Sequence, residues 1–346
     1  MRTIKISTGV LLVGLALPFL MQAQPTVETA SQQQQSAQQN MEQQQMMNTL
    51  HAGTNAPEIY QGESSDVGPQ HILRVVPRRT YFQARVDSQY LYSDNVFLTR
   101  SFQVPGTIFV NTISLAFAPP AYRVGEGRLS PTIGALTQWY NYGLGGHDLS
   151  AFNPDFNVQT VFASVKYLLP GDWTIFGDFN YSRYVSQNNS YAKIYDGEEF
   201  YHDWTPTLGV QRLARIRDDM ILVVSLRGDY HKTWTGNGNG FGQFDDLQDR
   251  ADVTATASLN YQIVPKLVLQ PYYQYQFTHY RWDTFHFQAR NDQLNSMGIA
   301  VAYYFSPKIS FRGFVNYNDK RSDDSATLNE YHEFNCGANL TGTIRF

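Results

Sequence analysis

The feature that most constrains this chain is an alternation of apolar and polar residues with a period of two, which recurs from about residue 80 onwards. In the last such segment, every second residue is apolar or small: Phe334, Cys336, Ala338, Leu340, Gly342, Ile344 and Phe346. The residues between them, from Glu333 to Arg345, are mostly polar. Because successive side chains of a strand point to opposite faces, each such segment predicts a strand with one apolar and one polar face.

Twelve segments follow this pattern, and the connections between them alternate in length. We expect the strands to begin near Tyr81, Ile108, Thr132, Gln159, Trp173, Trp204, Met220, Asp252, Leu267, Leu294, Ile309 and Phe334. Tight turns, such as 170–172 and 264–266, alternate with long polar loops, such as 184–201 and 235–249. An even strand number with short turns at one rim and long loops at the other is typical of an antiparallel transmembrane β-barrel. The connection at 118–128 is an exception, because it is long although it falls on the short-turn side.

The alternative all-β folds are a secreted β-sandwich and a lipocalin-like barrel, in which the apolar face points into a packed core. The apolar faces of twelve strands carry too many side chains for the small packed core of such a fold, so they suit a lipid-facing belt instead. Aromatic residues make up 14% of the chain and charged residues only 16%, whereas soluble domains contain about 25% charged residues. The tryptophans fall near strand ends, as in aromatic girdles at two membrane interfaces: Trp139, Trp204, Trp234 and Trp282 at the long-loop side and Trp173 at the short-turn side.

The N-terminal region has a different composition and predicts export followed by an unstructured segment. Arg2 and Lys5 precede an apolar run at 10–20, which is the pattern of a signal peptide over residues 1–23; the alternative is a short membrane anchor. Residues 24–72 are rich in Gln, so we expect a disordered periplasmic segment, the alternative being a helix that pairs with itself or a partner. The barrel is then expected over residues 73–346.

The C-terminal residues Ile344, Arg345 and Phe346 resemble the end of the last strand in bacterial outer-membrane β-barrels of the porin type. This resemblance implies that the chain lies in the outer membrane of a Gram-negative cell, in contact with lipid and lipopolysaccharide. It also implies that Ile344 and Phe346 form an assembly signal for the barrel-assembly machinery. More weakly, the stretch from Tyr90 to Leu98 is similar to a Y-x-D-N-[VI]-[FY] motif of outer-membrane porins associated with exopolysaccharide loci.

The polar face of the strands is expected to line the lumen. The residues assigned to it are Arg85, Asp87, Lys166, Asp178, Arg227, Asp229, Asp252, Gln270, Tyr272, Gln274, Arg312, Glu333 and Arg345. Five of these are basic and five are acidic, so charge selectivity should be mild. Arg85 with Asp87, and Arg227 with Asp229, lie two residues apart on one face and can pair.

Two functions are compatible with such a lumen. Barrels with fewer strands are filled by side chains, barrels with more strands leave an open channel, and twelve strands lie between these sizes. The first is a porin-like channel for small hydrophilic solutes, with saccharides favoured where aromatic side chains lie beside amides. The second is a non-conducting barrel with a structural or interaction role, accessory to exopolysaccharide export.

A third possibility, an outer-membrane lipase or protease, has weak support. No His-x-Ser sequence occurs, and Asp283, His286, Asp292 and His332 near the long-loop rim are the only protease candidates. We therefore expect no enzyme and no cofactor. The histidines and acids of the loops lack the spacing of metal ligands, and the single cysteine, Cys336, excludes an intramolecular disulfide. A net charge of −4 without a basic block argues against nucleic acid.

Overall fold

The computed structural model describes residues 80–98, 100, 103–143, 155–187, 199–235, 248–281, 289–323 and 330–346. The signal peptide and Gln-rich segment predicted for residues 1–72 lie outside these ranges, as do Trp282, Asp283 and His286. Within the described ranges, no helix has the length and apolarity needed to cross a membrane.

The described residues form thirteen β-strands, each built on the alternating pattern of the sequence. Their bounds are β1 Phe82–Ser93, β2 Gly106–Phe117, β3 Tyr122–Val124, β4 Gly127–Gly143, β5 Phe156–Leu169, β6 Trp173–Ser186, β7 Glu199–Arg217, β8 Met220–Thr235, β9 Arg250–Val264, β10 Leu267–Tyr280, β11 Arg290–Ser306, β12 Ile309–Ser322 and β13 Tyr331–Arg345.

Twelve of these strands close into a single antiparallel barrel, which confirms the predicted fold class. Each long strand pairs with its neighbours in the chain, β2 pairs with β4, and β1 pairs with β13 to close the ring. At this seam the Phe82 N–H donates to the Phe346 carbonyl and the Phe346 N–H donates to the Phe82 carbonyl, both at 2.9 Å. Closure leaves no unpaired edge among the twelve strands of the wall, as a strand-built structure in lipid requires.

The short strand β3 accounts for the long connection at 118–128. It pairs only with the start of β4 and forms a hairpin at the short-turn rim. Gly125 adopts a φ of 57° in the turn, a conformation that glycine tolerates without steric cost. The Tyr167 hydroxyl donates to the Val124 carbonyl at 2.9 Å and attaches the hairpin to β5.

Several strands begin earlier than the sequence pattern indicates. We expected starts near Thr132, Trp204 and Leu294, whereas β4 begins at Gly127, β7 at Glu199 and β11 at Arg290. At the start of β11 the alternation is lost because residues 290–293 place polar side chains on both faces, so periodicity alone does not reveal this end.

Burial alternates along the strands and distinguishes the two faces of the wall. On β10, for example, Gln270 and Gln274 are buried, whereas Tyr273 between them is exposed. In a closed barrel the buried face is the inner one and the exposed face is the outer one. The exposed face is dominated by Val, Ile, Leu, Phe and Tyr, so the apolar surface lies on the outside and the polar surface inside.

Candidate functional site in the barrel interior

The residues expected to line the lumen occupy the inner register of their strands with different degrees of burial. Buried residues are Arg85, Asp87, Asp229, Asp252, Gln270, Gln274, Arg312 and Glu333. Asp178, Arg227 and Tyr272 are half-buried, whereas Lys166 and Arg345 are exposed near the short-turn rim. The interior is therefore tightly filled in some regions and accessible in others.

An Arg-x-Asp pair recurs on four strands of the inner face. Residues two apart on a strand share one face, so each arginine lies beside its own aspartate. The N···O distances are 3.5 Å for Arg85–Asp87, 3.1 Å for Arg227–Asp229, 3.4 Å for Arg250–Asp252 and 3.0 Å for Arg290–Asp292. Pairing of this kind neutralises the charges locally and offsets part of their desolvation cost.

His231 joins two of the acidic groups near the long-loop rim. Its Nδ1 lies 2.7 Å from an Asp203 oxygen and its Nε2 lies 3.2 Å from an Asp252 oxygen. The Thr205 hydroxyl lies 3.2 Å from the same Nδ1 and donates to Asp203 at 2.8 Å. Since ionised carboxylates only accept hydrogen bonds, this arrangement favours an imidazole that donates from both ring nitrogens.

Asp292 is the centre of a second charged group on β11 and β12. It lies 3.0 Å from both Arg290 and Lys320, and the Ser322 hydroxyl donates to it at 2.6 Å. The Arg290 guanidinium also lies 3.9 Å from the centre of the Tyr280 ring, within cation–π distance. Both charges of the Arg290–Asp292 pair are almost completely shielded from solvent.

Asp87 organises the hydrogen bonds at the seam of the barrel. It accepts from Asn339 at 3.2 Å and from Thr341, in addition to its contact with Arg85. These partners belong to β13, so the bonds connect the inner face of the first strand to that of the last. Arg312 on β12 is wholly buried beside this group.

The inner faces of β2, β4, β5, β6 and β7 near the long-loop rim are apolar. We call this region the apolar cluster; it consists of Val96, Val104, Ile108, Val110, Tyr140, Phe156, Val158, Tyr184 and Tyr201. Two members, Val96 and Val104, come from the β1–β2 connection, whose backbone is bridged by the Val96 N–H donating to the Val104 carbonyl at 2.9 Å. Val96 and Val104 therefore lie inside the barrel and pack with residues on the inner faces of β2, β4, β5, β6 and β7.

Hydrogen bonds attach the β1–β2 connection to the start of β13. The Ser93 hydroxyl donates to Glu333 at 2.6 Å, the Asn95 amide to the His332 carbonyl at 3.2 Å, and the Phe334 N–H to Asp94 at 2.8 Å. These residues lie within and next to the Tyr90–Leu98 stretch that the sequence analysis identified. Its Ser-Asp-Asn-Val residues thus anchor an inward-folded loop.

The short-turn half of the interior is more accessible along β4, β5, β6 and β7. Half-buried side chains on this inner face are Thr132, Phe162, Ser164, Phe176, Asp178, Asn180 and Gln211. The inner face is therefore more accessible along β4–β7 towards the short-turn rim, which we call the chamber. It is buried towards the long-loop rim and along β9–β13 and β1, and we call this part the constriction.

Sequence reasoning missed much of the charged constriction. It did not count Asp203, His231, Arg250, Arg290, Asp292 and Lys320 among the inward charges, although all six are buried. Four of them lie at strand ends that were expected to belong to loops or to precede the first residue of the strand: Asp203, Arg250, Arg290 and Asp292. The recurrence of Arg-x-Asp at 85, 227, 250 and 290 is the signal that could have indicated Arg250, Arg290 and Asp292, although the same spacing also occurs at 217, 281 and 321.

The tryptophans expected in the aromatic girdles lie on the outer face where the structure describes them. Trp173 and Trp204 are exposed, and Trp139 and Trp234 are half-buried. Trp204 lies 4.5 Å from the ring of Tyr181, and the Arg212 guanidinium lies 5.1 Å from the Trp173 ring. The residues of the expected assembly signal, Ile344 and Phe346, are also exposed.

The described ranges contain no group of three or more His, Cys, Asp or Glu side chains arranged to hold a metal ion. Several charged groups of the interior pair with one another instead, as in the four Arg-x-Asp pairs.

Comparison with known proteins identifies the fold but no sequence family. No protein-family model and no curated protein matches the chain. Among solved structures, an outer membrane channel from Pseudomonas putida F1 is similar with a TM-score of 0.50, at 12% identity, over 82% of this chain and 99% of that one. The β-domain of the Bordetella autotransporter BrkA gives a TM-score of 0.45 at 13% identity, over 76% of this chain and 99% of that one. The KdgM porin in complex with disordered oligogalacturonate gives a TM-score of 0.38 at 12% identity, over 74% of this chain and 97% of that one.

At such identities the likeness concerns the fold alone. Together with the closed ring of twelve strands and the apolar outer face, it shows that this chain has the fold of bacterial outer-membrane β-barrel channels.

Proposed function

We propose that the protein is a porin-like channel of the outer membrane for small hydrophilic solutes, saccharides among them. The observation that carries this proposal is that the outer face of the closed barrel wall is apolar and its inner face is polar. Apolar side chains cover the outer face, while Thr, Ser, Asn, Gln and paired charges cover the inner face. A lipid-facing belt around a polar interior is the requirement for an aqueous path through a membrane.

A solute in this path passes from a polar chamber to a constriction between the charged groups and the apolar cluster. Because each inward arginine of the four Arg-x-Asp pairs has an aspartate beside it, the field of these pairs along the interior is close to neutral. We therefore expect mild charge selectivity for small ions and stronger selection by size.

Single-channel recording on the purified full chain in planar bilayers tests this proposal. Unitary conductance steps that fall when a large saccharide is added support a channel. Liposome swelling with oligosaccharides and with amino acids of similar size then tests the saccharide preference, and equal uptake of the two would remove it.

A second candidate is a barrel with no open pore and a structural or interaction role. It is favoured by the burial of the constriction, where Arg290, Arg312 and Tyr140 are at most 2% exposed. If protein with the β-sheet content of the folded barrel gives no conductance steps, this candidate replaces the channel. The link to exopolysaccharide export, which rests on the Tyr90–Leu98 similarity, stays a prediction.

A hydrolase is disfavoured by the geometry around His231. A histidine that acts as a general base needs one nitrogen free to take a proton from a nucleophile. The Thr205 hydroxyl lies 3.2 Å from Nδ1 of His231, but both ring nitrogens already face carboxylates, at 2.7 Å and 3.2 Å. Lipase and protease assays on the same preparation test this possibility.

The orientation in the membrane is also proposed. We infer that the short-turn rim faces the periplasm, together with the Gln-rich segment at 24–72, and that the long loops face lipopolysaccharide. Ile344 and Phe346 would then act as the signal read by the barrel-assembly machinery. Protease accessibility of the long loops on intact cells tests this orientation.

A further inference from the structure

Three aromatic rings of the inner face lie along the wall of the barrel. Each covers a glycine of the neighbouring strand: Phe162 covers Gly134, Phe176 covers Gly209 and Tyr272 covers Gly298. A Cβ added at position 134 would lie 2.6 Å from Cζ of Phe162, and one at position 209 would overlap the Phe176 ring. The absence of a side chain at these glycines lets the rings lie flat, so that they present a face to the interior.

Phe176 lies in the accessible chamber and has a basic residue on each side. Pairing across the sheet places Lys166, Phe176, Gly209 and Arg227 in one row over β5, β6, β7 and β8. With strands about 4.8 Å apart, this row spans about 14 Å of the wall. The half-buried Thr174 and Gln211 lie in the next row towards the short-turn rim, opposite each other.

The two basic groups differ in their partners. The Arg227 guanidinium lies 3.1 Å from Asp229, and that carboxylate also accepts from the Thr207 hydroxyl at 2.6 Å. Lys166 is exposed, and the structure gives its ammonium group no ion pair or hydrogen bond among the described residues. Asp178, half-buried in the row nearer the long loops, is the other acid facing the chamber.

A flat aromatic face beside cations, hydroxyls and an amide suits a sugar ring that bears a carboxylate. The apolar face of a pyranose stacks on an aromatic ring, the ammonium and guanidinium groups bind the carboxylate, and Thr and Gln side chains bind hydroxyl groups. A neutral sugar would make the stacking contact but leave Lys166 unused. A small dicarboxylate would bind the cations but leave the ring unused.

We propose that Lys166, Phe176 and Arg227 form a binding subsite for an acidic saccharide with a uronic acid unit. This inference rests on the proposed channel function and names the class of solute. Phe162 provides a second platform, because it pairs with Asn180, four residues along β6 from Phe176. At about 3.3 Å per residue, the two rings are offset by about 13 Å along the strand direction, in addition to their separation across the sheet, so they contact different units of one oligosaccharide.

Isothermal titration calorimetry on the full chain in detergent micelles tests the subsite directly. The probes are a glucuronate-containing trisaccharide, the neutral glucose trisaccharide of the same linkage, and succinate. We expect the acidic trisaccharide to bind about tenfold more tightly than the neutral one, as one charge-assisted contact allows, and succinate to bind more weakly than either trisaccharide.

Two variants separate the contributions of charge and stacking. Lys166→Gln should abolish the preference for the acidic trisaccharide and leave the neutral one unchanged. Phe176→Leu, which keeps most of the buried volume, should weaken both trisaccharides about fivefold. Lys266→Gln in an exposed turn and Phe179→Leu on the outer face of the same strand are matched controls and should change neither affinity.

The result that overturns the subsite is equal binding of the two trisaccharides, or binding of succinate as tight as that of the acidic sugar. Failure of the channel proposal is distinguishable, because conductance is measured separately. Acidic sugar binding without conductance steps would uphold the subsite and refute the channel. Conductance steps without a preference for the acidic trisaccharide would uphold the channel and refute the subsite.

Discussion

Replacing Gly209 by alanine tests whether the Phe176 ring lies on the barrel wall. Gly209 does not have a positive φ, so alanine fits its backbone. The added Cβ, however, would lie within 2.8 Å of three atoms at the end of the Phe176 ring, where ordinary contacts begin at 3.4 Å. The ring must therefore rotate away from the wall and project into the chamber.

The expected magnitude follows from two opposing effects. Overpacking of this kind costs about 1–3 kcal/mol. Replacing glycine by alanine also reduces the entropy of the unfolded chain, which contributes about 0.4–1 kcal/mol of stability. The entropic effect is common to all backgrounds, whereas the overlap exists only when the phenyl ring is present. A double-mutant cycle of Gly209→Ala with Phe176→Ala should therefore give a coupling energy of about 1–3 kcal/mol.

Urea unfolding in lipid vesicles, followed by tryptophan fluorescence, measures the free energies of the cycle. Gly228→Ala on β8 is the matched control, since its Cβ would meet nothing closer than the Asp252 carbonyl at 3.9 Å. Gly209→Ala should destabilise the wild-type chain and be neutral or stabilising when residue 176 is alanine. Equal destabilisation in both backgrounds would refute the placement of the ring over Gly209.

Three further predictions concern the constriction and the seam. Asp292→Ala leaves Arg290 and Lys320 buried without their shared carboxylate, so it should lower the unfolding free energy by about 3–5 kcal/mol in a urea titration. The control Asp219→Ala breaks an exposed pair and should lower the unfolding free energy by less than about 1 kcal/mol. Similar losses in the two variants would contradict the buried network. Val96→Ala removes two methyl groups from the apolar cluster and should cost about 2 kcal/mol while raising unitary conductance in planar bilayers; an unchanged conductance would show that the loop does not limit the path. Deletion of Phe346 removes the last backbone pairing with β1, so the amount of folded barrel in outer-membrane fractions should fall severalfold, and normal levels would argue against an assembly role.

The alternation of the sequence was sufficient to predict the closed antiparallel barrel of twelve strands. Each strand separates two environments, so its side chains must change polarity at every residue, and this constraint is local. The pattern at Phe334–Phe346 and the tight turns at 170–172 and 264–266 carried most of the information. Twelve strands then follow by counting, because consecutive antiparallel strands pair with each other.

The arrangement of the interior was much less accessible from the sequence, because it depends on register. His231 contacts Asp203 on β7 and Asp252 on β9, and nothing in the sequence places these three side chains together. Likewise, the cover of Gly209 by Phe176 becomes evident only when the two residues are known to be opposite each other. The two local pairs, Arg85 with Asp87 and Arg227 with Asp229, were by contrast predicted from the sequence.

The inward fold of the β1–β2 connection was unpredictable for a different reason. A loop with Val96, Phe97 and Leu98 has no periodicity, and its apolar residues are compatible with either lipid or protein contact. The hairpin of β3 is similar, since three residues are too few to show an alternation. In both cases the conformation depends on contacts with the rest of the barrel and not on the local sequence pattern.

The closing pair of hydrogen bonds between Phe82 and Phe346 has a topological consequence. Because the first and last strands are neighbours, the barrel wall is a cycle, and the order of its strands has no intrinsic start. Circular permutation, with residue 346 joined to residue 80 by a short linker and new ends opened in a long loop, would preserve every strand pair of the wall. Such a permutant would no longer present Phe346 at a free end, and it would therefore separate the stability of the barrel from the signal that directs its insertion.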